Sequence, residues 1–263
     1  LSTDSHTGLA AVAEDNIFCK HSGGEPSPDR MQHPITETAQ CSFECYQTAA
    51  TGHATVWATD TTRENIWDAK DRKEFNASTG TRLMVRFFGG WNYTMDDLNS
   101  RQPAFRGYDK GVPMGGDISG SSGTAPTFMV YALRDPVGAN LDRIQIVKGW
   151  LDDDGYSHEK IYKFVWSTGS ELDASGMLPP VVKTVDLAAA NWPNTIGASE
   201  LGTVWTDPDF DPEQRAFYYA RVRDIPTPRW VVYDAFRFGT EIPEGAETTH
   251  QERAYTSPIW YTP

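Results

Sequence analysis

Arg143-Ile-Gln-Ile-Val-Lys-Gly-Trp150 and Tyr162-Lys-Phe-Val-Trp166, with Asp154-Gly155 between them, are the stretches from which the fold is read. Ile144, Ile146 and Trp150 alternate with more polar positions on the first arm. Tyr162, Phe164 and Trp166 do the same on the second. A repeat of two puts alternate side chains on opposite faces of a pleated strand, so each arm reads as a half-buried β-strand. Asp-Gly supplies residues that tolerate positive φ, which is what a tight antiparallel hairpin needs.

Working outward, Arg82–Phe88 and Thr127–Arg134 read as strands before the hairpin, and Val181–Leu187, Ala216–Arg223 and Ser257–Tyr261 as strands after it. One helix interrupts them, with Thr227 as cap, Pro228 at its first position, Trp230–Phe238 as body and Gly239 as stop. The reading from residue 80 to 263 is an antiparallel β-sandwich. Before residue 80 the pattern differs. Residues 1–53 are loop-rich, and Ala54–Ala58 is a short apolar strand. Thr61 and Glu64 have capping-box spacing for a helix over about 62–74 that buries Ile66, Trp67 and Ala69. A strand followed by a helix belongs to an α/β architecture, so the chain as a whole is α+β with a junction near Gly80.

The chain has 263 residues, 39% of them hydrophobic and 22% charged, with nine Trp, so it is globular and has ample core material. Its 22 Gly and 17 Pro favour turns and short strands. A net charge of −13 argues against nucleic acid and against an anionic membrane surface. No apolar run is long enough to span a bilayer, so membrane insertion is not expected. Three cysteines, Cys19, Cys41 and Cys45, are too few for a disulfide framework; a Cys41–Cys45 bridge stays open.

The tail Gln251-Glu-Arg-Ala-Tyr-Thr-Ser-Pro-Ile-Trp-Tyr-Thr-Pro263 resembles the end of a large bacterial family catalogued only as a domain of unknown function. The likeness continues through Ala139–Trp150, His158-Glu-Lys, Gly111-Val-Pro-Met-Gly-Gly-Asp117, Arg86-Phe-Phe-Gly-Gly-Trp91 and Asp4-Ser-His-Thr-Gly-Leu-Ala-Ala-Val12. Members look like metallohydrolases of the PHP type (polymerase and histidinol phosphatase relatives). The resemblance implies that residues 1–79 are the carboxy-terminal remnant of a PHP-type α/β barrel, preceding the β domain at 80–263. It also implies a longer natural protein whose missing amino-terminal half carries a His-x-His motif and further ligands; its compartment stays open, periplasm and secretion among the alternatives. On this reading Asp4 and His6 match a late Asp-x-His motif and ligate divalent metal ions (zinc, manganese or iron). Metal-activated water would then attack a phosphoester or related ester, and the isolated chain would be inactive.

Other residues have chemistry to offer, each with a plainer reading beside it. His21, His33 and His53 are either extra ligands or solvated imidazoles. Glu25 and Arg30 flank a Pro-containing loop, where Arg30 is either an anion clamp or a surface residue. Asp207, Asp209 and Asp211 have the spacing of a calcium loop but lack its turning glycine, so an acidic turn is favoured. Asp152, Asp153 and Asp154 are turn residues by the same logic, and Asp117 either caps or ligates. The tryptophans are either core or a sugar-stacking platform. A non-catalytic module that binds carbohydrate or a partner chain is the competing function.

Overall fold

A computed structural model of the chain describes residues 13–18, 24–37, 42–50, 52–120, 123–167 and 181–263. Among these residues the fold is sheet-rich and mostly antiparallel, with four α-helices and no closed barrel. The hairpin forms, but not with the expected alternation: a register shift between Lys163 and Val165 puts Tyr162 opposite Ile146 on the core side and Trp166 opposite Arg143 on the other, and Leu141–Gly149 is buried on both faces. Leu141–Leu151 pairs antiparallel with Ser157–Trp166, from Leu151 opposite Ser157 to Arg143 opposite Trp166. Its turn is closed by Asp152, whose Oδ1 accepts from the Asp154 and Tyr156 amides, and by Gly155 at φ 83°.

The hairpin lies at one end of an eight-stranded sheet. From it the order runs through Ala216–Asp224, Arg253–Thr256 and Phe75–Ser78 to His53–Val56, with Ile259–Thr262 and Asp117–Ser119 attached beside them. A second sheet of four strands orders Glu200–Thr206, Thr127–Leu133, Met84–Gly90 and Gly111–Pro113. Both sheets contribute to one apolar core. Val85, Phe87, Phe128 and Val130 come from the small sheet, and Ile144, Ile146, Tyr218, Val222 and Ile259 from the large one. Phe128 sits at the centre, 4.5 Å from the Tyr218 ring centroid and 5.5 Å from that of Phe87.

The Ala216–Asp224 strand shows the two-faced logic most clearly, because buried and half-buried residues alternate along its whole length. Ala216, Tyr218, Ala220, Val222 and Asp224 face the core; Phe217, Tyr219, Arg221 and Arg223 face outward. One inward position on the neighbouring strand is charged. Lys148 is buried, and its Nζ meets Asp207 Oδ2 at 2.7 Å and the Asp209 carbonyl at 2.8 Å. Tyr218 donates to the same Asp207 carboxylate at 2.7 Å, so the charge is paired and its lone pairs are used.

Several expectations need correction. No barrel element appears among the described residues of 1–79. The strand His53–Val56 runs antiparallel to Phe75–Ser78, and Phe75–Ser78 pairs in turn with Arg253–Thr256, so one sheet crosses the expected junction at 79/80. The helix between them is Arg63–Asp71, one residue later at its start and shorter than expected. Thr62, not Thr61, accepts from the Asn65 amide, and Lys73 at φ 58° turns the chain back into the sheet. Only Ala69 of its predicted buried face is covered; Trp67 is 66% exposed, because the helix flanks an edge strand. The helix Trp230–Phe238 ends at Gly239 in the left-handed conformation as expected, but Thr227 does not cap it. Thr227–Pro228 pairs with Thr249–His250, and the Trp230 amide is instead met by Glu14 Oε2 at 2.7 Å. Val181–Leu187 is not a strand: Asp186 accepts from the Ala188 and Ala189 amides in a turn. No described helix is long and apolar enough to cross a membrane.

Candidate anion-binding face

The outward side of the large sheet gathers the arginines. Register sets Arg223 directly opposite Arg253 on one neighbouring strand and opposite Arg143 on the other. Neighbouring strands lie about 4.8 Å apart, so three guanidinium-bearing residues stand side by side. Arg221 follows on the same face, two positions along. Like charges directly opposed across strands are destabilising, so this row is not what stability alone would select.

The contacts that hold the row are mostly neutral. Arg221 Nε donates to Gln145 Oε1 at 2.9 Å, Arg223 donates to Gln251 Oε1, and Arg253 Nε donates to the Gln251 carbonyl at 3.3 Å. Amides orient a guanidinium without cancelling its charge. Among the described residues two carboxylates lie against the row: Asp142, which holds the buried Arg143 through Nε at 2.5 Å, and Glu252, whose charge Arg253 favours. Arg223 Nε is buried and has no hydrogen-bond partner among the described residues. Burial first, then Arg253, Arg143 and Arg221, pushes the Arg223 pKa below its usual value. Beside the row opens a cleft of about 520 Å³ whose lining includes Lys183, Arg223, Thr249, His250 and Arg253. Glu247 stands at its edge, 3.7 Å from Arg229 and largely solvated. An electropositive cleft of this build, with donors in planar forks, suits a carboxylate, sulfate or phosphate group.

The residues singled out from sequence fare differently. Asp4, His6 and His21 lie outside the described residues, as do Cys19 and Cys41, so the expected metal ligation and the open question of a Cys41–Cys45 bridge fall outside them. Among the described residues no three His, Cys, Asp or Glu side chains converge to hold a metal ion. His33 and His53 are half-buried on separate elements: His33 ends a short 3-10 turn, and His53 begins an edge strand. Arg30 is neither an anion clamp nor a surface residue. It is 3% exposed and grips Asp234 through Nε at 2.5 Å and a second nitrogen at 2.7 Å, and it also donates to the Ile17 carbonyl and lies over the Trp230 ring. Glu25 is half-buried nearby.

Asp207, Asp209 and Asp211 form the acidic turn that was favoured. Asp207 pairs with Lys148, Asp209 pairs with Lys160 at 2.6 Å, and Asp211 accepts from the Glu213 amide. Asp152 closes the hairpin and meets His158 at 2.7 Å, and Asp117 is exposed on a short strand. Near the segment that follows Asp4 and His6, a cavity of about 130 Å³ is lined by Glu14, Asp135 and Glu252 among others. Those carboxylates are engaged: Glu14 by the Ala50 and Trp230 amides, Asp135 by the Arg82 and Val137 amides, and Glu252 by Thr79. The arginine row was not found from sequence. Arg221-Val-Arg223 and Arg253 carry the signal, but only register brings them together.

The profile of one family, described as a protein of unknown function (DUF3604), matches residues 1–263. No curated protein and no solved structure matches the chain.

Proposed function

From the premise that this chain belongs to that family, we propose that it is the substrate-recognising part of a metal-dependent ester hydrolase, with the arginine face holding an anionic group of the substrate. The observation that carries the reading is the pair Arg253 and Arg223, two cations side by side on the lining of one cleft in a chain of net charge −13, with Arg143 buried beside them and paired with Asp142. Retaining such a row costs stability, and an anion that bridges the guanidinium groups relieves that cost on binding.

The resemblance to PHP-type metallohydrolases supplies the catalytic half of the proposal. Asp4 and His6 are the metal ligands this chain would contribute, and a zinc, manganese or iron ion would activate water for attack on a phosphoester or related ester. The described residues offer no ligand set of their own. On the same resemblance, the remaining ligands would come from an amino-terminal barrel half of a longer protein.

The experiment compares that longer protein with its Asp4→Ala, His6→Ala and Arg223→Gln variants. Metal content is read by elemental analysis, and turnover with an aryl phosphate and an aryl sulfate. Asp4→Ala and His6→Ala should lose metal and turnover. Arg223→Gln should keep its metal and raise KM about tenfold or more, equivalent to about 1.4 kcal/mol of binding. Unchanged metal content in both ligand variants overturns the metal assignment. An unchanged KM in Arg223→Gln overturns the role of the arginine face.

A further inference from the structure

The outward side of the Ala216–Asp224 strand changes character halfway along, from Phe217 and Tyr219 to Arg221 and Arg223. Register widens the aromatic half. Trp260 stands opposite Phe217, and Tyr255 opposite Arg221. On its other side Phe217 lies across Gly149, where an added Cβ would come within 2.3 Å of the ring; the glycine lets the ring lie flat on the sheet. Phe217 and Tyr219 are nearly parallel, at an interplanar angle of 12°, and Trp260 packs 5.1 Å from Phe217 between centroids. Trp260 keeps 45% of its surface exposed, although it is a large apolar residue on a regular strand. Past Phe217 the face opens into a cleft of about 790 Å³ whose lining includes Trp150, His158, Arg215 and Trp260. Six residues separate Phe217 from Arg223, about 20 Å along an extended strand.

We infer that this face binds an oligosaccharide carrying a carboxylate or sulfate group, its sugar rings stacked on Trp260, Phe217 and Tyr219 and its anionic group held by Arg223 and Arg253. This inference rests on the anion reading of the arginine row and extends it to a substrate class. Half-exposed flat rings offer apolar faces to the C–H side of a pyranose, and the Tyr219 and Tyr255 hydroxyls provide polar edges for sugar hydroxyls. A single-stranded nucleic acid also stacks on aromatics, but it needs cations along its whole track. Here the arginine row stands at one end, Phe217 and Tyr219 separate it from Arg215 at the other, and Arg215 shares its cleft with Glu159, in a strongly acidic chain. Charge complementarity thus selects a ligand with a mostly neutral body and a localised anionic group.

The test is calorimetric titration of the full natural protein at low salt with four probes: inorganic sulfate, and tetrasaccharides of one backbone in neutral, uronate-bearing and sulfated forms. At least one acidic tetrasaccharide should bind ten or more times tighter than inorganic sulfate and than the neutral tetrasaccharide. The tighter of the two identifies the anionic group. Trp260→Leu, and independently Phe217→Leu, should weaken tetrasaccharide binding about tenfold and leave inorganic sulfate unchanged. Arg223→Gln should weaken both. If inorganic sulfate binds but no acidic tetrasaccharide binds tighter, or if both aromatic variants bind the tetrasaccharide normally, the glycan inference falls and the anion reading stands. If neither sulfate nor any tetrasaccharide binds, both fall. Tighter binding of a single-stranded oligonucleotide that is lost in the same variants also overturns the glycan assignment.

Discussion

Replacing Arg223 with Gln should make the protein more stable, and the gain should fade with salt. Arg223 is the central member of the row, with Arg253 opposite on one strand and Arg143 on the other. Each cross-strand like-charge pair costs about 0.2–1 kcal/mol, so removing the central charge relieves about 0.4–2 kcal/mol. Its buried Nε, unpartnered among the described residues, adds a desolvation cost that also disappears, of the order of 1 kcal/mol. Against this stands the hydrogen bond to Gln251, worth about 1–2 kcal/mol. Gln at 223 keeps an amide donor for that acceptor. The balance favours the variant by about 1 kcal/mol, or about 2–4 °C in Tm for a chain near this size. Urea unfolding at about 10 mM and about 1 M salt separates the causes, because screening shortens the reach of charge from about 30 Å to about 3 Å. Arg221→Gln serves as the internal control. Its cross-strand neighbours are Tyr255 and Gln145, so its gain should be smaller. A loss of more than about 1 kcal/mol for Arg223→Gln at both salt concentrations would refute the argument and make the row structural.

Three other outcomes follow from the packing. Asp207→Asn leaves Lys148 charged and buried without its partner, and urea unfolding should show a loss of about 3–5 kcal/mol; under about 1 kcal/mol contradicts the pairing. Gly107→Ala should destabilise by about 1–3 kcal/mol although Ala is the better helix former by about 1 kcal/mol, because the new methyl falls 2.6 Å from the fully buried Phe88 ring. Asp224 is buried, and burial, then Glu252, raises its folded-state pKa well above the ordinary carboxylate range. Its stabilising contribution is therefore greatest at low pH and is lost as pH rises from the unfolded-state pKa towards the folded one. Asp224→Asn should accordingly be the more stable protein at neutral pH and lose that advantage on acidification; a constant Tm difference across the pH range contradicts the shift.

The hairpin was legible because Ile144 and Ile146 alternate on its first arm and its turn holds a glycine that the structure places at φ 83°; the register shift between Lys163 and Val165, which sends Trp166 to the face opposite Tyr162, has no signal in the spacing. The end of the Trp230–Phe238 helix was legible for the same local reason, Gly239. Its beginning was not, because the acceptor for the Trp230 amide is Glu14, 216 residues away. Arg30 was misread likewise: nothing near it in sequence announces Asp234. The strand Glu200–Thr206 was missed because its burial does not alternate, and Thr61 was taken as the cap because Glu64 stands three residues on, whereas Thr62 accepts from the Asn65 amide. The arginine row lies beyond any local reading. Its members sit on three strands, and a shift of one residue in either pairing would send them to opposite faces.

Anomalous diffraction from crystals soaked in selenate tests for an anion site between Arg223 and Arg253. An anomalous peak is expected within hydrogen-bonding distance of both guanidinium groups, absent from Arg223→Gln crystals soaked alongside. Selenate density elsewhere on the protein with none at this row, or a peak that survives the substitution, would contradict it.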